Sequence, residues 1–161
     1  MPTFTDTTGR VWTIAITVDT VRRVRNTTNI DLLDVAGGPL IERLVSDPVL
    51  LCDVLFAVLR PEAEAKGVSD ADFGRALAGD AIDAATSALL EGLVAFFPTP
   101  KRRVLAKALE KLTAWQREAL TAAELRLDSP ELAAAVQAAL AAPPGISSGG
   151  SLEPSASIPG T

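Results

Sequence analysis

Hydrophobic and polar positions alternate at the start of the chain and then settle into a helical period. Arg10-Val11-Trp12-Thr13-Ile14-Ala15-Ile16-Thr17 puts Trp12, Ile14 and Ile16 on one side of a strand. The turn-forming group Asp6-Thr7-Thr8-Gly9 before it joins this strand to Phe4-Thr5 as a hairpin. Two strands alone are marginal in water, so helices or another copy's hairpin must cover the Trp12 face.

Every later segment reads as helix. Asp19 is placed to cap a short basic helix through Val21, Arg22, Val24 and Arg25, ending at the polar break Asn26–Asn29. A turn with Ile30, Leu32 and Leu33 leads to Gly37-Gly38, and Pro39 opens a helix to about Val45. Ser46-Asp47-Pro48 is a start signal for Val49–Leu59, which is apolar nearly all round and should be the central helix, ended by Arg60-Pro61. Ser69-Asp70-Ala71-Asp72 caps a short helix with Phe73, Ala76 and Leu77. Gly79-Asp80 restarts the chain into a helix whose stripe is Ile82, Ala85, Leu89, Leu90, Leu93, Phe96 and Phe97. A strip of Ala84, Ala88, Gly92 and Ala95 on it is small enough for another helix to approach closely.

Pro100 opens the last long helix, with the stripe Leu105, Ala108, Leu109, Leu112, Trp115, Ala119, Leu120, Ala123 and Leu127. Asp128-Ser129-Pro130-Glu131 caps an alanine-rich helix to about Ala142. The expected fold is α+β but predominantly α: an N-terminal hairpin packed on a bundle of about five to six helices. Residues 1–97 form the hairpin and helical core, and 98–142 a long basic-start helix and an alanine-rich helix packed on or extending that core. Residues 143–161, with 13 Gly, Pro or Ser among 19, form a disordered tail.

Composition narrows the chemistry. Among 161 residues there is no histidine and one cysteine. Serine–histidine and cysteine–histidine nucleophile systems, histidine metal ligands, intramolecular disulfides and cysteine zinc clusters are all excluded. Cys52, inside the apolar helix, reads as a small buried hydrophobe, and Asp53 as an edge residue or a partner of Arg43. Asp70, Asp72, Asp80 and Asp83 are the densest acidic cluster; their positions at helix starts favour capping over a magnesium site. No glycine-rich phosphate loop is present, and no active site or cofactor site is supported.

Charge is unevenly spread. The net charge is −5, and residues 61–100 alone hold seven acidic and two basic side chains. Lys101, Arg102, Arg103, Lys107 and Lys111 follow at the start of the long helix, where they oppose its dipole. An acidic middle beside a basic helix suggests complementarity, within the chain or between copies of it. A solvated basic face is the alternative, and a nucleic-acid binder would need a far stronger positive footprint. No signal peptide or membrane span is apparent, which points to a soluble cytoplasmic protein.

The order of parts carries a resemblance. The hairpin Phe4-Thr5-Asp6…Gly9-Arg10-Val11-Trp12-Thr13-Ile14 is followed by Val21-Arg22-Arg23-Val24 and Asn29-Ile30-Asp31-Leu32-Leu33. Asp47-Pro48-Val49-Leu50-Leu51, Val68-Ser69-Asp70-Ala71-Asp72-Phe73 and a helix ending in Phe96-Phe97 complete the series. This resembles the tail assembly chaperones of long-tailed bacteriophages and prophage elements over about residues 3–97. The resemblance implies a non-enzymatic protein of the host cytoplasm, absent from the mature virion. Such a protein holds the apolar helical tape-measure protein soluble while tail-tube subunits assemble around it. Phe96, Phe97, Leu105, Leu109, Leu112 and Trp115 are the candidate partner-binding residues, core packing being their other use. Alternatives are a structural minor tail or head–tail connector protein whose hairpin pairs with another copy, and a nucleic-acid-binding regulator.

Overall fold

The computed structural model describes residues 1–142; the expected disordered tail lies outside them. Strands β1 (Thr3–Thr5) and β2 (Val11–Thr13) pair antiparallel, with Phe4 opposite Trp12. Helices follow in the order α1 (Val18–Thr28), a 3₁₀ segment (Leu32–Gly37), α2 (Pro39–Ser46), α3 (Pro48–Lys66), α4 (Asp70–Ala76), α5 (Asp80–Phe96), α6 (Thr99–Leu127) and α7 (Pro130–Ala141). A predominantly helical α+β fold with an N-terminal hairpin is therefore what the chain adopts. The described residues contain seven α-helices, more than the five or six expected.

The chain divides into two compact units, Met1–Leu112 and Thr113 onward. The first includes the start of α6, where Leu105 is buried and Leu109 and Leu112 pack against the core.

Hairpin and helices share that core. Gly9, at φ 85°, supplies the left-handed position of the turn. The Asp6 carboxylate accepts from the Thr8 hydroxyl and from the backbone N–H groups of Thr8 and Arg10, closing the turn from inside. The regular strand is shorter than the alternation suggests, because β1 runs out of residues to pair. The ladder ends where Ile14 N–H donates to Pro2 C=O. Trp12 and Ile14 are fully buried nonetheless, while Ile16 is half-buried. What approaches the small strip of α5 is the hairpin rather than a helix. A Cβ added at Gly92 would stand 2.7 Å from Ile14 Cγ2. Ala88 is buried beside it, whereas Ala84 and Ala95 are exposed.

Three helix boundaries differ from the sequence reading. Thr17, not Asp19, caps α1, accepting from Thr20 N–H. That helix continues through Asn26-Thr27-Thr28 to a left-handed Asn29; the Thr27 and Thr28 hydroxyls donate back to the Arg23 and Val24 carbonyls. Helix α3 passes through Pro61 and ends at Gly67. Proline there removes one helical hydrogen bond. The extra turn is held by i,i+4 pairs, Arg60 with Glu64 and Glu62 with Lys66, and by the buried Ala63.

Glu62 and Lys66 also close the outer edge of the hairpin. Thr13 N–H donates to Glu62 Oε2 at 3.0 Å, and Lys66 Nζ donates to the Val11 carbonyl while lying 4.6 Å over the Trp12 ring. A free strand edge is a template for pairing with another chain. Here side chains of α3 occupy one donor and one acceptor of that edge, Thr13 N–H and Val11 C=O.

Candidate partner-binding surface

The six candidate residues do not form one surface. Phe97 and Leu105 are buried, and Phe96 is half-buried, packed edge-on against Phe97 with ring centroids 5.6 Å apart. Leu109 and Leu112 are half-buried against the same core. Only Trp115 is exposed, at 67%. The cause lies at the α5–α6 turn. Arg102 Nη2 donates to the Ala95 carbonyl at 2.8 Å, and its Nε donates to the Phe97 carbonyl at 3.1 Å. These bonds satisfy the last carbonyls of α5 and account for one of the basic side chains at the start of α6.

In the second unit no side chain from Thr113 to Ala142 is buried. Trp115, Leu120, Leu125 and Leu127 on α6 are all exposed by about two-thirds. On α7, Leu132, Val136 and Leu140 follow at i, i+4 and i+8, along one face, and Leu140 is 81% exposed. Ser129 caps α7 as expected, accepting from Leu132 N–H at 3.3 Å. The rest of α7 is mostly alanine, with Glu131 its only charge. A helix apolar nearly all round is ordinarily buried, and an isolated one of 12 residues is marginal in water. Sequence periodicity places Trp115, Leu120 and Leu127 on the α6 stripe; it carries no signal that the stripe beyond Leu112 would lack a covering element, and it marks no stripe on α7.

The remaining candidates have local roles. Ser69 accepts from Asp72 N–H and its hydroxyl donates to Asp72 Oδ2 at 2.8 Å. That bond, with the Arg75 guanidinium nearby, holds the Asp72 carboxyl below its ordinary value. Among the described residues, no three Asp, Glu or Cys side chains are grouped to hold a metal ion. Cys52 is half-buried rather than buried. Burial pushes its thiol up, and the carboxylates of Asp70 and Asp53 add to the shift, so it is not an activated nucleophile. Asp53 is exposed, and no ion pair joins it to Arg43. A cavity of about 560 Å³ beside the 3₁₀ segment is lined by Asp31, Asp34 and Arg43, with no serine, threonine, lysine or cysteine. Asp31 is already paired with Arg25. No described helix is long and apolar enough to cross a membrane.

Comparison with protein-family models, curated proteins and solved structures finds no match to this chain.

Proposed function

We propose that this protein is a non-enzymatic assembly chaperone of the phage-tail type. Its exposed apolar helices receive the helical tape-measure protein and keep it soluble during tail assembly. One observation carries the reading: the unit from Thr113 to Ala142 holds Trp115, Leu120, Leu125, Leu127, Leu132, Val136 and Leu140 and buries none of them. Exposed apolar side chains in such number mark an interaction site, and helices bearing them suit a partner that is itself an apolar helix. The order of parts over residues 3–97 supplies the partner's class.

Co-expression with a tape-measure protein tests the proposal. The soluble fraction of the tape-measure protein should rise, and the two should be recovered together. Leu120→Asp with Leu127→Asp should abolish recovery while circular dichroism stays unchanged. Unchanged solubility and no co-purification would overturn the reading. Stoichiometric presence of this protein in purified particles would do so as well, in favour of a structural tail component.

A further inference from the structure

Two charged strips on the first unit have no ion-pair partner among the described residues. On α5, Asp80, Asp83, Ser87 and Glu91 are exposed and fall on one face, and the helix has no basic residue. On α6, Arg103, Lys107 and Lys111 are exposed at i, i+4 and i+8, with Glu110 at the border of the strip. The carboxylates of Glu62, Glu64 and Asp72 are paired with Lys66, Arg60 and Arg75. Among the described residues no ion pair reaches Asp80, Asp83, Glu91, Arg103, Lys107 or Lys111. The complementarity visible in the sequence is therefore not used inside the described chain.

The strips also match in size. Asp83 to Glu91 and Arg103 to Lys111 each span about 12 Å at the helical rise. Both are bordered by exposed small or apolar side chains, Ala84 and Ala95 on α5, Val104 and Ala108 on α6. These allow close approach and supply some apolar area, without which surface ion pairs contribute little.

We propose that the two strips form a self-association surface, in which the acidic α5 strip of one copy seats on the basic α6 strip of a second copy. An unrelated acidic partner would satisfy only the α6 strip and leave α5 unpaired. A second copy satisfies both, because each copy brings one strip of either sign. The proposal rests on charged residues of the first unit and does not depend on the chaperone reading.

Sedimentation of the full chain tests this at about 20 mM and about 0.5 M salt, where screening differs severalfold. The expected result is at least twice the monomer mass at low salt and the monomer mass at high salt. Asp83→Lys with Glu91→Lys should be monomeric at low salt, and so should Lys107→Glu with Lys111→Glu. Mixing these two variants should restore association, because each then offers the sign the other lacks. A monomer at low salt would overturn the proposal, as would a failure of the mixture to associate. Association that survives high salt but is lost in Leu120→Asp with Leu127→Asp would assign the contact to the apolar helices instead.

Discussion

The indole Nε1 of Trp12 donates a 3.0 Å hydrogen bond to Oδ2 of Asp6, and both side chains are buried. The other oxygen of Asp6 receives the Thr8 and Arg10 donors, so one carboxylate joins the hairpin turn to the largest core side chain. Burial by itself raises the Asp6 carboxyl, but the bonds from the Thr8 hydroxyl, the Trp12 indole and the backbone of Arg10 and Thr8 outweigh it and hold the group below its ordinary value. A depressed carboxyl contributes stability that is fully present above its unfolded value and lost as pH falls through the folded one. Asp6→Asn should therefore cost about 1–3 kcal/mol at neutral pH, since an amide has a single accepting oxygen and its NH2 would face one of the donors. In denaturant titrations the gap between variant and parent should shrink below about pH 4. An equal gap from pH 7 to pH 2 would contradict this account.

Gly92→Ala places a methyl 2.7 Å from Ile14 Cγ2, inside van der Waals contact. Overpacking of this kind costs about 1–3 kcal/mol, enough to exceed the helix-propensity gain of about 1 kcal/mol. Ile14→Ala frees the space, so the two changes should be strongly non-additive in a double-mutant cycle read by thermal or chemical unfolding.

Pro61→Ala restores an N–H that α3 lacks and should stabilise the fold. Interior proline costs about 3 kcal/mol, part of which is returned by its stiffening of the unfolded chain. A net gain of about 1–2 kcal/mol in denaturant unfolding is expected. A loss would mean that the surroundings of Pro61, which lines a cavity with Arg23, Val58 and Glu62, depend on the ring.

The two tryptophans should report separately. Trp12 is 0% exposed and Trp115 is 67% exposed. Trp115→Phe should leave blue-shifted emission resistant to iodide, and Trp12→Phe should leave red-shifted, quenchable emission. A tape-measure helix seated on the second unit should shift only the Trp115 signal to the blue.

Much of the local structure was legible because it depends on neighbours in the chain. Asp47 accepting from the Val49 and Leu50 N–H groups, Ser69 with Asp72, and Ser129 at the start of α7 are short-range capping bonds. The stripe of α5 was also legible, since helical periodicity alone aligns Leu89, Leu90 and Leu93. Asp6 was visible only as a turn former. Its burial depends on Trp12 folding back over the turn, and a six-residue separation carries no periodic signal for that. Pro61 misled for a related reason, because its local cost is offset by Glu62 and Lys66 reaching the hairpin edge at Thr13 and Val11.

The sequence by itself determined which residues are apolar, how they are spaced on each helix, and where most helices begin. Those properties follow from backbone hydrogen bonding and side-chain geometry within a few residues. Only the tertiary structure decided which stripes are covered. Phe97 and Leu105 enter the core because Arg102 closes the α5–α6 turn, whereas Trp115 and the apolar face of α7 stay exposed. Periodicity records that a helix has an apolar face; burial depends on a second surface brought against it by residues far away in the chain.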